Sequence, residues 1–254
     1  GVFEEIFNVG KPYQKTSQHF DKERFFTNEA LSGIFTFGSI VMSSKLGISH
    51  YQNKIKTNLA VFPHENLLGH ISLINDVNHT YTKPYFSSRL EYKLRRATFV
   101  LNLPLSLNYA TTNNREEKQE LTKVFLNPKL SFKYEFNNMF KINASGQYEQ
   151  NIDNFENYYD NPVLSDYQSL FTMIAPMSVS DLTRANVRLT FNYPFYAINS
   201  SLSYTYQHRN SDIIYKYDID ENGASYLQMI ESPNTSDYHV INLNVKKFIS
   251  VIKT

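Results

Sequence analysis

Apolar and polar side chains alternate along three long stretches between Phe99 and Tyr148. The second stretch runs from Val124 to Phe136 and the third from Phe140 to Tyr148. A period of two predicts extended strands that have one apolar face and one polar face. Aromatic residues stand at the ends of several stretches, which is typical of strands that cross a lipid bilayer. In the first stretch the apolar positions are Phe99, Leu101, Leu103, Leu105, Leu107 and Tyr109.

The connections between the predicted strands alternate in length along the chain. Short turns are expected near 95, 138, 195 and 248, and long loops near 115, 165 and 222. Tight turns on one side and long loops on the other are the layout of an outer-membrane barrel. Because lipid offers the backbone no hydrogen-bond partner, a sheet that spans a bilayer must pair its own edges. The pattern therefore predicts an all-β, antiparallel up-and-down meander that forms a transmembrane β-barrel or part of one.

The pattern also divides the chain. Residues 1–30 are polar and rich in turn formers, so they are predicted to be an irregular N-terminal segment. Residues 31–254 are predicted to form the antiparallel barrel segment, with long loops near 110–121, 151–182 and 208–237. Asn137 and Asn138 are predicted to form a two-residue hairpin turn, because asparagine tolerates a positive φ angle.

Composition changes this interpretation only slightly. The chain has 19 Tyr, 19 Phe and no Cys, with a mean hydropathy of −0.43, which fits strands that are apolar on one side only. A net charge of +1 gives no reason to expect a nucleic-acid partner. The alternative is a soluble all-β binding module whose aromatic face forms a core or an interface. The stretches are longer than the five or six residues of an ordinary strand, which favours the barrel.

No catalytic, cofactor or metal motif stands out. The seven histidines show no ligand spacing, and there is no nucleophile elbow or phosphate-binding loop. The prediction is therefore a non-enzymatic protein without a cofactor. Two groups of side chains are candidates for binding a ligand. One group is the aromatic loop residues Tyr158, Tyr159, Tyr167 and Phe171, and the other is the basic wall residues Lys129, Lys133, Arg184 and Arg188.

Each group has a simpler interpretation. The aromatic side chains are able to stack on a ligand, or they pack their loop onto the barrel rim. The basic side chains are able to line a lumen and attract anions, or they form ordinary ion pairs with Glu135 and Glu149.

Three stretches of sequence carry a family resemblance. They are LNLPLSLNY at 101–109, the hairpin formed by NPKLSFKYEF at 127–136 and FKINASGQY at 140–148, and the loop containing NYYD at 157–160 and LSDYQSL at 164–170. In this order they resemble the TonB-dependent receptor-like outer-membrane β-barrels, of the type that carries a carboxypeptidase-regulatory-like domain ahead of the plug. The chain resembles a partial barrel segment of that family.

The resemblance implies a location in the outer membrane of a Gram-negative cell and a role in nutrient uptake. The implied partners are outer-membrane lipid, a plug domain, the remaining strands of the intact protein and a bulky nutrient. The family's barrels have 22 strands around a plugged lumen. This sequence shows neither plug nor TonB box, so the expectation is a fragment of such a barrel.

Overall fold

A computed structural model describes residues 13–63, 71–114, 118–153, 159–166, 169–173, 176–219 and 225–247. The described residues form one 12-stranded sheet and a single short 3-10 turn, Pro194–Tyr196, so the predicted fold class is confirmed. The strands are β1 Tyr13–Phe37, β2 Ile40–Pro63, β3 Ile71–Leu94, β4 Ala97–Asn113, β5 Lys118–Leu126, β6 Lys129–Glu135, β7 Phe140–Asp153, β8 Tyr159–Asp166, β9 Ser169–Met173, β10 Ser178–Tyr193, β11 Ile198–Ile219 and β12 Ser225–Lys247.

The wall of the sheet is a meander in which chain neighbours pair antiparallel. Its order is β1-β2-β3-β4-β6-β7-β10-β11-β12, and β5 pairs with β4 beyond the end of β6. The strands β5 and β6 therefore act as one wall strand that is interrupted at Asn127 and Pro128. Proline has no N–H to donate to the ladder. The Asn127 side chain bridges the interruption, since its Oδ1 accepts from the Gln150 N–H at 2.9 Å and its Nδ2 donates to the Gln150 carbonyl at 3.3 Å.

The strand register sorts the side chains onto two faces. Leu101 lies opposite Leu90 on one neighbouring strand and opposite Leu130 on the other. Its chain neighbour Asn102 lies opposite Arg89 and Lys129. Directly opposed residues share a face of the sheet, so the alternation seen in the sequence becomes one apolar face and one polar face.

The apolar face is not covered by the protein. Val124 is 62% exposed, Leu130 53% and Leu243 71%. The buried apolar cluster lies elsewhere, on the polar face near the long connections, and consists of Ile55, Tyr159, Val163, Ile213 and Met229. One version of the alternative prediction was a soluble module whose aromatic face forms the core. That version is therefore wrong.

The strands extend further than the sequence pattern predicts. β1 begins at Tyr13, although 1–30 was expected to be irregular, while residues 1–12 lie outside the described part. The predicted loops near 110–121, 151–182 and 208–237 also contain strand residues. They include the end of β4, the start of β5, all of β8 and β9, the start of β10 and about half of β11 and β12. Beyond the apolar band both faces are polar, as Asp21 and Lys22 on opposite faces of β1 show. In this region apolar and polar side chains no longer alternate along the strands, although the backbone hydrogen bonds between the strands continue.

The turn after β6 lies where it was predicted, but it is built differently. Among the described residues the positive φ angles belong to Gly38 and Ala197, so the asparagines of this turn do not adopt one. Instead, Asn137 Oδ1 accepts hydrogen bonds from the N–H groups of Met139, at 2.9 Å, and Phe140, at 2.7 Å. The side chain supplies an acceptor to the turn, so the left-handed conformation is not needed.

Candidate functional site

The apolar face has the height of a bilayer core. On β4 it extends from Phe99 to Tyr109, about 33 Å at roughly 3.3 Å per residue. A strand tilted by about 40° would rise about 25 Å over that length, which matches the apolar band of outer-membrane barrels. No helix among the described residues is long and apolar enough to cross a bilayer.

Aromatic side chains mark both ends of this band. At the short-turn end, the rings of Phe99 and Phe132 lie 4.7 Å apart. At the long-loop end, Tyr204 Oη lies 2.8 Å from His239 Nδ1, and Tyr206 donates to Asp237 at 2.9 Å. Aromatic side chains with a polar tip suit the boundary between hydrocarbon and water. The apolar face is therefore flanked by two aromatic girdles.

The polar face carries an excess of positive charge. Its carboxylates are largely neutralised by neighbours on the same face: Glu91 binds Lys93 at 2.8 Å, Glu135 binds Lys141 at 3.0 Å, and Asp153 lies 3.4 Å from Arg209. Seven further basic side chains on this face have no carboxylate partner within the described part of the chain, one of them Lys123, which lies opposite Asn108. The others are Lys45, Lys83, Lys129, Arg184, Arg188 and Lys246.

The structure brings the four predicted basic residues onto this one face. Lys129 and Arg184 lie in one row, each opposite Gln147, and Lys133 and Arg188 lie in a second row, each opposite Asn143. Their partners differ. Lys133 pairs with Glu135 at 2.9 Å, as expected if these basic residues form ordinary ion pairs rather than bind a ligand.

The two arginines of these rows instead donate to neutral side chains. Arg184 donates to Gln207 at 3.0 Å, and Arg188 donates to Ser201 at 3.1 Å. Their positive charges therefore remain uncompensated, so the prediction that they bind an anionic ligand stays a prediction.

The predicted aromatic group is only partly described. Tyr158 and Tyr167 lie outside the described residues. Tyr159 is 7% exposed and packs edge-on against Phe171, with their ring centroids 6.4 Å apart. Tyr159 belongs to the buried cluster, and Phe171 is partly buried against that cluster. For Tyr159 and Phe171 the observed contacts are those of the packing alternative.

The hairpin of β8 and β9 extends across the polar face at the long-loop end. β9 pairs in parallel with the start of β12. On the other side of the hairpin, Leu164 exchanges two hydrogen bonds with Gln18 of β1, at 2.6 and 3.1 Å. The hairpin therefore connects the two outermost long strands of the sheet, which must curve to bring them together.

A layer of buried polar side chains lies on the same face, above the apolar band and outside the membrane-spanning part of the strands. His79 Nδ1 lies 3.0 Å from Thr112 Oγ1, and Thr112 donates to the sulfur of Met177 at 3.8 Å. Burial, together with the smaller effect of the positive charge of Lys22, lowers the pKa of His79 from 6.5 to about 4. The histidine is therefore neutral at physiological pH.

The sequence analysis did not identify the residues that hold the hairpin. Gln18 and Leu164 are 146 residues apart, and Asn75 and Asn161, which also hydrogen-bond, are 86 apart. No local signal marks these pairs, since glutamine and asparagine in polar strand ends look solvated. In the described ranges, no group of three or more His, Asp or Glu side chains is arranged to hold a metal ion.

Comparison with known proteins identifies the fold. No family model matches the sequence, and no curated protein matches it. Among solved structures, the copper transporter OprC matches with a TM-score of 0.65 at 9% identity, over 92% of this chain and 36% of that chain. The alcaligin outer-membrane receptor FauA from Bordetella pertussis matches with 0.53 at 14% identity, over 92% and 37%.

A third match is the ferric-catecholate import receptor Fiu from E. coli K12, with a TM-score of 0.56 at 8% identity, over 92% of this chain and 36% of that chain. The chain thus spans about a third of the length of the proteins it matches. Its fold is that of a segment of a TonB-dependent outer-membrane receptor barrel, as the resemblance predicted. The predicted outer-membrane location agrees with this fold. The carboxypeptidase-regulatory-like subtype stays a prediction.

Proposed function

We propose that this chain forms part of the barrel wall of a TonB-dependent receptor-like protein that imports a bulky nutrient across the Gram-negative outer membrane. It carries no catalysis of its own. In the intact protein, the free edges of β1 and β12 pair with further strands, and a plug domain occupies the lumen. The apolar face contacts lipid, and the polar face lines the import path.

One observation carries this proposal: the exposed face of the sheet is the apolar one. Burying a leucine side chain away from water is worth about 2 kcal/mol. A wall that leaves Leu130 and Leu243 more than half exposed is therefore unfavourable in water. The same wall is favourable in hydrocarbon, where the closed backbone ladder satisfies the peptide groups.

The unpaired sheet edges support the proposed assembly. In the described strands β1 pairs with β2 alone, and β12 beyond Met229 pairs with β11 alone. A row of unpaired N–H and C=O groups in lipid is strongly unfavourable. The proposed further strands would provide the missing partners.

Single tryptophans test the orientation of the wall, since the chain contains no native Trp. Leu103→Trp places the probe on the apolar face and Asn102→Trp places it on the polar face of the same strand. In bilayers, lipids brominated in their acyl chains should quench the Leu103→Trp fluorescence, while aqueous acrylamide should quench that of Asn102→Trp. If the bromolipids quench neither probe, or if the chain remains a soluble monomer without detergent, the proposal is wrong.

Uptake requires a test in cells that carry the intact protein containing this chain. Deleting its gene should slow growth on one limiting nutrient of a panel of iron, copper and carbohydrate sources. Re-expression should restore growth in a strain with TonB and not in a strain without it. Unchanged growth on every nutrient, or rescue that does not require TonB, contradicts the uptake role while leaving the membrane orientation to the tryptophan probes.

A further inference from the structure

A pocket of about 410 Å³ opens on the polar face of strands β1 to β4, at the level of the apolar band. Its lining combines aromatic rings with basic and amide side chains, chiefly Phe26, Asn28, Lys45, Lys83 and Tyr85. None of these residues belongs to the two groups that the sequence analysis identified. A volume of this size is typical of sites for small organic molecules.

The floor of the pocket depends on a glycine. Gly47 lies directly opposite Tyr85, and a Cβ atom on Gly47 would come within 2.7 Å of Tyr85 Oη and 2.6 Å of the Glu29 carbonyl oxygen. The tyrosine ring therefore occupies the space above β2 that any larger residue would fill. From there its hydroxyl donates to Asn28 Oδ1 on β1, at 3.0 Å.

Two ammonium groups flank this tyrosine. Lys45 lies two residues before Gly47 on β2, and Lys83 lies two residues before Tyr85 on β3, so they are on opposite sides of the Gly47–Tyr85 pair. Their backbones are about 13 Å apart along the strands, at roughly 3.3 Å per residue. Lys45 Nζ lies 5.5 Å from the centre of the Tyr85 ring, and neither lysine pairs with a carboxylate of the described chain.

The remaining aromatic wall is available for contact. Phe26, on the polar face of the edge strand β1, is 64% exposed. Covering an apolar ring that is exposed among polar side chains is favourable, because it removes apolar surface from water. The pocket thus offers the Tyr85 ring between two uncompensated positive charges, and Phe26 lies one row beyond Lys83, opposite Tyr51.

We propose that this pocket binds a small organic dianion that has a flat ring between two carboxylate groups. Each carboxylate contacts one of the lysine ammonium groups, the ring packs on Tyr85, and Phe26 covers the end of the ligand that Lys83 binds. The inference rests on the proposed function, because a ligand reaches this face from a water-filled lumen. It adds a specific site on the wall, and a chemical class, to the proposed import path.

The probe is terephthalate, which has two carboxylates on opposite ends of one aromatic ring. Binding to the full chain in detergent micelles is measured by isothermal titration calorimetry. Lys45→Gln and Lys83→Gln should each weaken binding about tenfold, as expected when one charge-assisted contact is lost. Benzoate, with one carboxylate, should bind about tenfold more weakly than terephthalate, and cyclohexane-1,4-dicarboxylate should also bind more weakly because it has no flat ring.

Lys56→Gln is the matched control, since Lys56 lies on the opposite face of the same strand. It should leave the affinity for terephthalate unchanged. The inference is wrong if terephthalate does not bind, if the double lysine variant binds it as well as the original chain does, or if Lys56→Gln weakens it equally. A chain that passes the bromolipid test and fails to bind terephthalate refutes the pocket and leaves the proposed function standing.

Discussion

Asn75 of β3 hydrogen-bonds with its side chain to the backbone of Asn161 in β8. Its Nδ2 donates to the Asn161 carbonyl at 3.1 Å, and its Oδ1 accepts from the Asn161 N–H at 2.8 Å. The same Nδ2 also donates to Thr57 Oγ1 at 2.8 Å. A side-chain amide thus takes the place of a peptide group on a neighbouring strand.

The same arrangement occurs at two other places in the sheet. Gln18 makes it with Leu164, and Asn127 makes it with Gln150. At each place the strand edge that faces the amide side chain has no regular backbone partner. Buried peptide groups need hydrogen-bond partners of some kind. Amide side chains are suited to this role because they carry one donor group and one acceptor, as a peptide does.

We expect Asn75→Asp to loosen the β8–β9 hairpin. The substitution keeps the shape, but it replaces the donor by an oxygen that faces the Asn161 carbonyl and Thr57. Losing a buried hydrogen-bond donor costs about 1–3 kcal/mol. Hydrogen exchange of the amides in Tyr159–Asp166 should become faster.

Asn58→Asp is the control for this variant, because among the described residues the Asn58 side chain hydrogen-bonds through its acceptor oxygen alone, which accepts from Ser72 at 2.8 Å. It should leave exchange in the hairpin unchanged. Equal exchange rates in the Asn75 variant and the original chain would show that these hydrogen bonds do not hold the hairpin.

We expect Gly47→Ala to destabilise the sheet, whereas Gly146→Ala should not. A Cβ on Gly47 would lie within 2.8 Å of three atoms, and one on Gly146 would have nothing within 4 Å. Overpacking of this kind costs about 1–3 kcal/mol. Urea unfolding in micelles, followed by tyrosine fluorescence, measures both variants. Similar unfolding free energies for the two would mean that the Tyr85 ring moves aside at no cost.

We expect Leu103→Arg to be far more costly in a bilayer than Asn102→Arg. Leu103 lies near the middle of the apolar band on β4, and its chain neighbour Asn102 is on the polar face. An arginine facing lipid at the bilayer midplane costs about 2–4 kcal/mol, and one facing the lumen much less. Urea titrations in phospholipid vesicles compare the two. A larger loss for Asn102→Arg would reverse the assignment of the faces.

We expect the stability of the long-loop end to fall between pH 6.5 and pH 4. The pKa of His79 is about 4 in the folded chain and 6.5 in the unfolded chain. Between these values the unfolded chain binds the proton and the folded chain does not, so acid favours unfolding. The full effect is about 3 kcal/mol, present above pH 6.5 and lost as the pH falls to 4.

The histidine variant His79→Gln should reduce this pH dependence, measured as urea midpoints in micelles from pH 7 to pH 4. His50→Gln is its control, because His50 lies on the other face of the sheet and bonds to Thr82 at 2.9 Å. If the pH dependence is the same in the original chain and in His79→Gln, another group causes it.

Sequence reasoning was most successful where the two faces of a strand meet different solvents. Leu101 and Asn102 were assigned to opposite faces from their alternation alone, and the register confirms both. It was less successful beyond the apolar band. There Asp21 and Lys22 both face polar surroundings, so the part of β1 from Tyr13 to Ala30 was missed. Of the candidate site, the sequence predicted the common face of Lys129 and Arg184, but it left open whether Tyr159 stacks on a ligand or packs its loop, and the structure shows it buried.

The amino-acid sequence by itself determined the strands within the apolar band, their two faces and the antiparallel order of the wall. It could do so because a period of two, with turn residues between strands, is a local consequence of lipid on one side and water on the other. Only the tertiary structure decided the position of the β8–β9 hairpin and the pocket around Tyr85. These depend on which residues the register and the curvature bring together, as for Gly47 with Tyr85 and Gln18 with Leu164. No local pattern encodes such distant pairs.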